Sequence, residues 1–214
     1  MRVPVLICIL VALAAYLLGS IPTGFLVARA KGVDIRTAGS GNIGATNALR
    51  VLGKPAGIFV LLMDALKGFA AAAWLVSLAL KFFFIPPEQV EPLQIVAGIF
   101  AVLGHNYTCW LKFKGGKGIA TTAGVYLALA PWAVLVALVF FIFAVALTKY
   151  VSVGSIAAAV ALPVTVWILA PHDFFLGIVT TALGLLAIYK HKSNLQRLHA
   201  GTENRLGRKT EAAP

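Results

Sequence analysis

Three polar segments interrupt an apolar chain, and each is rich in residues that hold anions. The first runs Gly39-Ser40-Gly41-Asn42-Ile43-Gly44-Ala45-Thr46-Asn47, with Arg50 shortly after. Its three glycines let the backbone approach a ligand closely and turn N–H groups toward an anion. Ser40, Asn42, Thr46 and Asn47 add neutral hydrogen-bonding groups, and Arg50 adds a fork suited to phosphate. A helix starting near Asn42 would add the field of its N-terminus. The second segment holds Gly104-His105-Asn106 and then Lys112-Phe113-Lys114-Gly115-Gly116-Lys117-Gly118. There a cation, Lys117, sits between open backbone amides, a second cradle for phosphate, while Lys112 and Lys114 read as headgroup anchors. The third, His191-x-x-Asn194-x-x-Arg197 with Gly201-Thr202-Glu203, sets His191 and Asn194 on one helix face with Arg197 a turn further on.

Several chemistries are excluded by context. Gly39-x-Gly41-x-x-Gly44 matches the dinucleotide fingerprint literally, with Asp64 beyond it. That fingerprint has meaning only between a strand and a helix, and nothing here alternates like a sheet. No Gly-Lys-Ser/Thr follows, so it is not a P-loop either. His105 and His191 are the candidates for a general base, but neither has an obvious carboxylate partner in sequence. Trp110 stands where a His-x4-Asp acyltransferase would place its acid. Asp64 and Lys67 read as an i, i+3 ion pair inside an apolar run. No cluster has metal-ligand spacing, so neither metal nor cofactor is expected.

The elements that position these segments follow from composition. Of 214 residues, 60% are hydrophobic and 12% charged, and mean hydropathy is +0.93. A soluble domain is about 45–50% apolar and about a quarter charged, so a water-soluble fold and a disordered chain are both excluded. A helix crossing about 30 Å of hydrocarbon needs roughly 20 mainly apolar residues. Runs at 3–27, 54–80, 92–111, 117–130, 132–148, 152–170 and 174–190 meet that pattern, the fourth being short and rich in Gly and Thr. The expected fold is therefore an all-α integral membrane protein of seven transmembrane helices. Residues 1–207 form one domain, and 208–214 a disordered tail.

Of 18 Lys and Arg, all but Arg2, Lys67 and Lys81 fall in connections on one side. The positive-inside rule puts that side in the cytosol, the N-terminus outside and the C-terminus cytoplasmic. All three polar segments then share the cytosolic face. The net charge of +11 is carried in clusters beside apolar runs, which points to anionic headgroups rather than nucleic acid. Cys8 and Cys109 fall near opposite faces, so no disulfide is expected. A transporter for phosphorylated anions would spread polar residues to the midplane of the bilayer, whereas polarity here is one-sided.

Taken together, the three segments and the Asp64-x-x-Lys67-Gly68 pattern closely resemble the bacterial acyl-phosphate:glycerol-3-phosphate acyltransferase family, often called PlsY, across nearly the whole chain. The resemblance implies transfer of a fatty acyl group from acyl phosphate to the sn-1 hydroxyl of glycerol 3-phosphate, giving lysophosphatidic acid and phosphate. It implies residence in the bacterial inner membrane and a functional link to an enzyme that makes acyl phosphate. Ser40, Gly41, Asn42 and Gly44 would then hold the acyl phosphate. Arg50 and Lys117 would neutralise phosphate charge, and His191 and Asn194 would position glycerol 3-phosphate. Gly39, Thr46, Asn47, His105, Asn106, Gly115, Gly116, Gly118, Arg197 and Glu203 complete the expected binding set. The family is thought to use a substrate phosphate, not a protein base, to take the proton.

Overall fold

A computed structural model describes residues 4–207, so the expected tail at 208–214 lies outside the described residues. Among these, regular structure is helical throughout. Helices α1 (Val5–Ser20) and α2 (Thr23–Ala30) are joined at Pro22 and together form a 26-residue apolar element. A short helix, α3 (Ala45–Leu52), leads into α4 (Lys54–Phe69). A π-helical turn at Ala70–Leu75 carries α4 on into α5 (Val76–Phe82). Next come α6 (Val90–Asn106), α7 (Ile119–Leu129), α8 (Pro131–Thr148) and α9 (Val151–Leu169). The chain ends with α10 (Phe174–Lys190) and α11 (Lys192–His199), which meet at a 51° bend.

Four elements are long and apolar enough to cross a bilayer: Val5–Ala30, Lys54–Phe82, Pro131–Thr148 and Val151–Leu169. The bent pair α10–α11 makes a fifth. The other two expected spans are shorter than the apolar runs suggest. The run at 92–111 yields the 17-residue α6, and that at 117–130 yields α7 with only 11 residues. At 1.5 Å per residue α7 is about 16 Å long, too short to cross alone. Its start is set by Gly118, whose φ of +85° ends the preceding loop in a left-handed turn and leaves Lys117 outside the helix.

Small residues bring the helices into backbone contact. A Cβ on Gly104 of α6 would fall 2.2 Å from the Tyr16 carbonyl oxygen of α1, and one on Gly124 of α7 would fall 1.8 Å from that of Ala65 in α4. Such approaches replace the hydrophobic drive that helices lack in lipid. One core gathers Val102, Val125, Tyr126, Val166 and Leu183 between α6, α7, α9 and α10. A second joins α1 to α6 through Val11, Ala15, Ala97 and Ala101. Outside, α8 leaves Phe140, Ile142 and Phe143 more than half exposed. An exterior of this kind is stable against hydrocarbon, not water. Cys8 and Cys109 are both free thiols.

Candidate active site

The loop from residue 34 to 44 is held by one buried side chain. Asn47, in the first turn of α3, accepts the Ser40 N–H at Oδ1 (2.8 Å). Its Nδ2 lies 3.3, 3.0 and 2.8 Å from the carbonyl oxygens of Ile35, Ala38 and Asn42. With φ of +59° at Gly39 and +69° at Gly41, this staple wraps the chain round the start of α3. A Cβ on Gly39 would lie 2.3 Å from Asn47 Oδ1, so staple and glycine depend on each other. Gly44 is the N-cap of α3 and gives its N–H to Asn42 Oδ1 at 2.9 Å, so the helix opens at Ala45 rather than near Asn42.

The second segment turns back on the end of α6. The Gly115 and Gly116 amides donate to the carbonyls of Asn106 (3.2 Å) and His105 (2.9 Å). Lys117 emerges from this turn, and its Nζ donates to Asn194 Oδ1. The third segment is pinned by Glu203. Its Oε1 accepts from Asn194 Nδ2 (2.7 Å) and Ser152 Oγ (3.0 Å), and its Oε2 accepts from Arg197 Nε (2.7 Å). The chain after α11 thereby folds back on the start of α9.

These segments meet round a cavity of about 180 Å³. Ser40, Gly41 and Asn42 form one wall, Gly115, Gly116 and Lys117 a second, and Lys190, Ser193 and Arg197 a third. No carboxylate lines it. Among the described residues, Lys117 and Lys190 have no carboxylate within ion-pairing distance, while Arg197 is matched by Glu203. Lys190 instead donates to the Asn106 carbonyl (3.1 Å) and sits 4.4 Å from the Tyr107 ring centroid. The open glycine amides expected here are not open: Gly41, Gly115 and Gly116 give their N–H groups to the carbonyls of Ala38, Asn106 and His105. The selectivity of the site for anions therefore rests on its uncompensated cations.

Burial lowers Lys117 to about 8, and the nearby Arg197, Arg50 and Lys190 add to the effect against the pull of Glu203. Burial, with Lys117 close by, lowers His191 to about 4, so its ring is neutral at pH 7. His191 Nδ1 meets the Ala187 carbonyl at 2.8 Å and must donate there, which leaves Nε2 as the acceptor. Burial would raise Glu203, but hydrogen bonds from Asn194 and Arg197 hold it below the ordinary range.

The expected residues divide accordingly. Ser40, Gly41, Asn42, Gly115, Gly116, Lys117 and Arg197 line the cavity. Asn194 reaches it through Lys117. Gly39, Gly44, Asn47, Gly118 and Glu203 shape the loops behind it. Arg50 is half-buried on α3 within the fields of Glu203 and Arg197, Thr46 lies in the first turn of α3, and His191 is the N-cap of α11. None of these three is in the lining. Asn106 and His105 are buried behind the glycine turn. The sequence reading misses Lys190 and Ser193, although with Arg197 they fall at i, i+3, i+7, the spacing of one helical face.

One reading is corrected. His105 has a carboxylate beside it: its Nδ1 is 3.6 Å from Asp64 Oδ1, which also meets Lys67 Nζ at 2.8 Å. Spacing along the chain hides this contact because it joins α4 to α6.

The chain matches the model of the glycerol-3-phosphate acyltransferase family over residues 9–201. It is 49% identical over 191 residues to a glycerol-3-phosphate acyltransferase of Geobacter sulfurreducens, covering 89% of this chain and 93% of the relative. It is 52% identical over 200 residues to that of Geobacter metallireducens, covering 94% and 98%. Among solved structures it is similar to the crystal structure of PlsY, described as an integral membrane glycerol 3-phosphate acyltransferase, in its glycerol 3-phosphate form. There the TM-score is 0.83 at 38% identity, covering 94% of this chain and 96% of that one. The lysophosphatidic acid form gives a TM-score of 0.80 at 37% identity, covering 94% and 95%. With a family match over most of its length and relatives near half identical, this chain belongs to the glycerol-3-phosphate acyltransferase family.

Proposed function

We propose that this protein transfers a fatty acyl group from acyl phosphate to the sn-1 hydroxyl of glycerol 3-phosphate, the first step of bacterial phospholipid synthesis. The observation that carries the reading is the cavity itself. Two of its walls pair glycine backbone with Ser40, Asn42 or Lys117, and the third adds Lys190, Ser193 and Arg197. Both substrates carry phosphate, and the site offers unmatched cations for it.

In this reading the sn-1 oxygen attacks the acyl carbonyl carbon. The new ester C–O bond forms, the C–O bond to phosphate breaks, and inorganic phosphate leaves. The hydroxyl proton passes to a substrate phosphate oxygen. A phosphate leaving group needs no strong protein acid. Stabilising developing negative charge is then the main task, and it falls to Lys117 and Arg197. Ser40, Gly41 and Asn42 hold the acyl phosphate, while Arg50 adds positive field from α3. His191, as a neutral acceptor, and Asn194 orient glycerol 3-phosphate.

The chain lies in the inner membrane of a bacterium and crosses it seven times, with α6 and the short α7 among the crossings. The fourth crossing is the 11-residue α7, with the loop before it, and Lys117, at the cytosolic end. The N-terminus is outside, and the cavity opens to the cytosol, where an enzyme producing acyl phosphate would supply the donor.

The test uses purified protein, labelled glycerol 3-phosphate, and either palmitoyl phosphate or palmitoyl-CoA. Product from palmitoyl phosphate alone, lost in folded Ser40→Ala, is the expected result. Product only from palmitoyl-CoA would overturn the donor assignment.

A further inference from the structure

We infer that Asp64 and His105 form a positioning pair for the Gly115–Lys117 wall, fixing from behind the turn that delivers Lys117 to the cavity. The inference rests on the reading of that cavity as the phosphate site. His105 is 6% exposed and does not line the cavity, so its effect must pass through a neighbour. That neighbour is Gly116. A Cβ there would fall 2.0 Å from His105 Nε2, so the imidazole edge lies directly against the glycine backbone. The same residue takes the Gly116 N–H on its carbonyl at 2.9 Å, and the next residue, Asn106, takes the Gly115 N–H at 3.2 Å. Asn106 O also accepts from Lys190 Nζ. Two consecutive residues at the end of α6 thus set both glycines and one cation of the site.

The far edge of the imidazole faces Asp64, 3.6 Å from Nδ1. Asp64 is in turn held by Lys67 at 2.8 Å, and Lys67 donates to the Ile21 carbonyl at 2.9 Å, the break between α1 and α2. At 3.6 Å the Asp64–His105 contact is electrostatic rather than a hydrogen bond, and it favours the ring orientation with Nδ1 toward the carboxylate, a looser form of the pairing that orients metal-ligating histidines. Here the object oriented is a glycine turn.

Packing alone does not account for this choice of residues. His105 Nδ1 and both amide atoms of Asn106 are buried without a geometrically good hydrogen bond. Apolar side chains would fill the space without leaving such groups unsatisfied, and departures of this kind concentrate at functional sites. Lys117 follows Gly116 directly, so a small shift of the turn displaces its ammonium group.

The experiment compares purified full-length wild type, His105→Ala, His105→Gln and His105→Leu with palmitoyl phosphate, varying glycerol 3-phosphate. Thermal midpoints in the same detergent report folding. Gln places an amide where Nε2 lies, whereas Leu supplies volume alone. The expected result for His105→Ala is a fall of about tenfold in kcat, part of what loss of one preorganised charge costs. KM for glycerol 3-phosphate should change less, and Gln but not Leu should recover most of the loss. If His105→Ala does not fold, the Gln–Leu contrast carries the decision. Equal rescue by Leu, an unchanged kcat, or a rise of KM at constant kcat would overturn the pairing. An inactive wild type would remove the phosphate-site reading beneath it, which is a separable failure.

Discussion

Lys67 and Lys117 are two lysines taken out of water and put to opposite uses. Lys67 is buried, pairs with Asp64 at 2.8 Å, and gives another hydrogen bond to the Ile21 carbonyl. Lys117 is half-buried and meets only the neutral amide oxygen of Asn194. The surroundings differ in the same way. Asp64, Lys67 and His105 are closed in among α1, α4 and α6, whereas Lys117 opens on about 180 Å³ of polar space. A matched cation ties helices together, and an unmatched one is available to a substrate. Identical side chains are separated in function by where the nearest carboxylate sits.

The largest expected effect breaks the matched side. Asp64→Ala leaves Lys67 buried beside a carbonyl and no counter-charge, and removal of one partner of a buried pair costs about 3–5 kcal/mol. Chemical unfolding in detergent should show that loss. An Asp64→Leu/Lys67→Met double variant should recover much of it, because apolar replacement removes the charge together with its partner. If the double variant is no more stable than the single, the pair is not what holds α4 in place.

The unmatched side should respond in rate rather than stability. Lys117→Ala removes a charge aimed at the cavity, and loss of one preorganised electrostatic donor lowers turnover by about 10²–10³-fold. The thermal midpoint should move little, since Lys117 makes no ion pair among the described residues. A large fall in midpoint would assign Lys117 to the same structural class as Lys67 and end the contrast.

Much of this division was legible in the sequence, and the remainder depends on contacts between distant segments. Gly39, Gly41 and Gly116 announce backbone approach, and the fold bears this out: the first two have positive φ, and a Cβ on Gly116 would fall 2.0 Å from His105 Nε2. Lys117 stands out by being flanked with glycine. Asn47 carries the same hydrogen-bonding groups as Asn42, however, and only the fold shows that it spends all of them on its own loop. His105 and Asp64 are joined by helix packing, which leaves no periodic mark. The short α7 was partly visible in its Gly and Thr content, but its starting point depends on the conformation of Gly118. Lys190 counted in the sequence only toward the basic side of the membrane, where a ligand-facing lysine looks like any other.

Asn47 offers a smaller effect that sits between the two classes. Asn47→Ala leaves the Ser40 amide and three carbonyls without their partner. A buried group left unsatisfied costs about 1–3 kcal/mol. The loss should appear mainly as a weaker KM for acyl phosphate, because the staple holds the wall that carries Ser40, Gly41 and Asn42. An effect on stability alone would mean that the loop keeps its shape without the staple.

The smallest effect is one of pH, and it discriminates most cleanly. Lys117 is lowered to about 8, chiefly by burial. It is charged below that value and neutral above it, so the protonated form that meets phosphate is lost as pH rises. In the free enzyme, kcat/KM should be level below pH 8 and decline above it, approaching tenfold per pH unit. His191, near 4, is neutral throughout this window and adds no limb of its own. Lys117→Arg keeps its charge to far higher pH, though its planar fork fits a site built for an ammonium less well. That variant should be less active at pH 7 yet lose the alkaline decline. A decline that persists unchanged in Lys117→Arg would belong to another group, and the unmatched cation would no longer be the one that titrates.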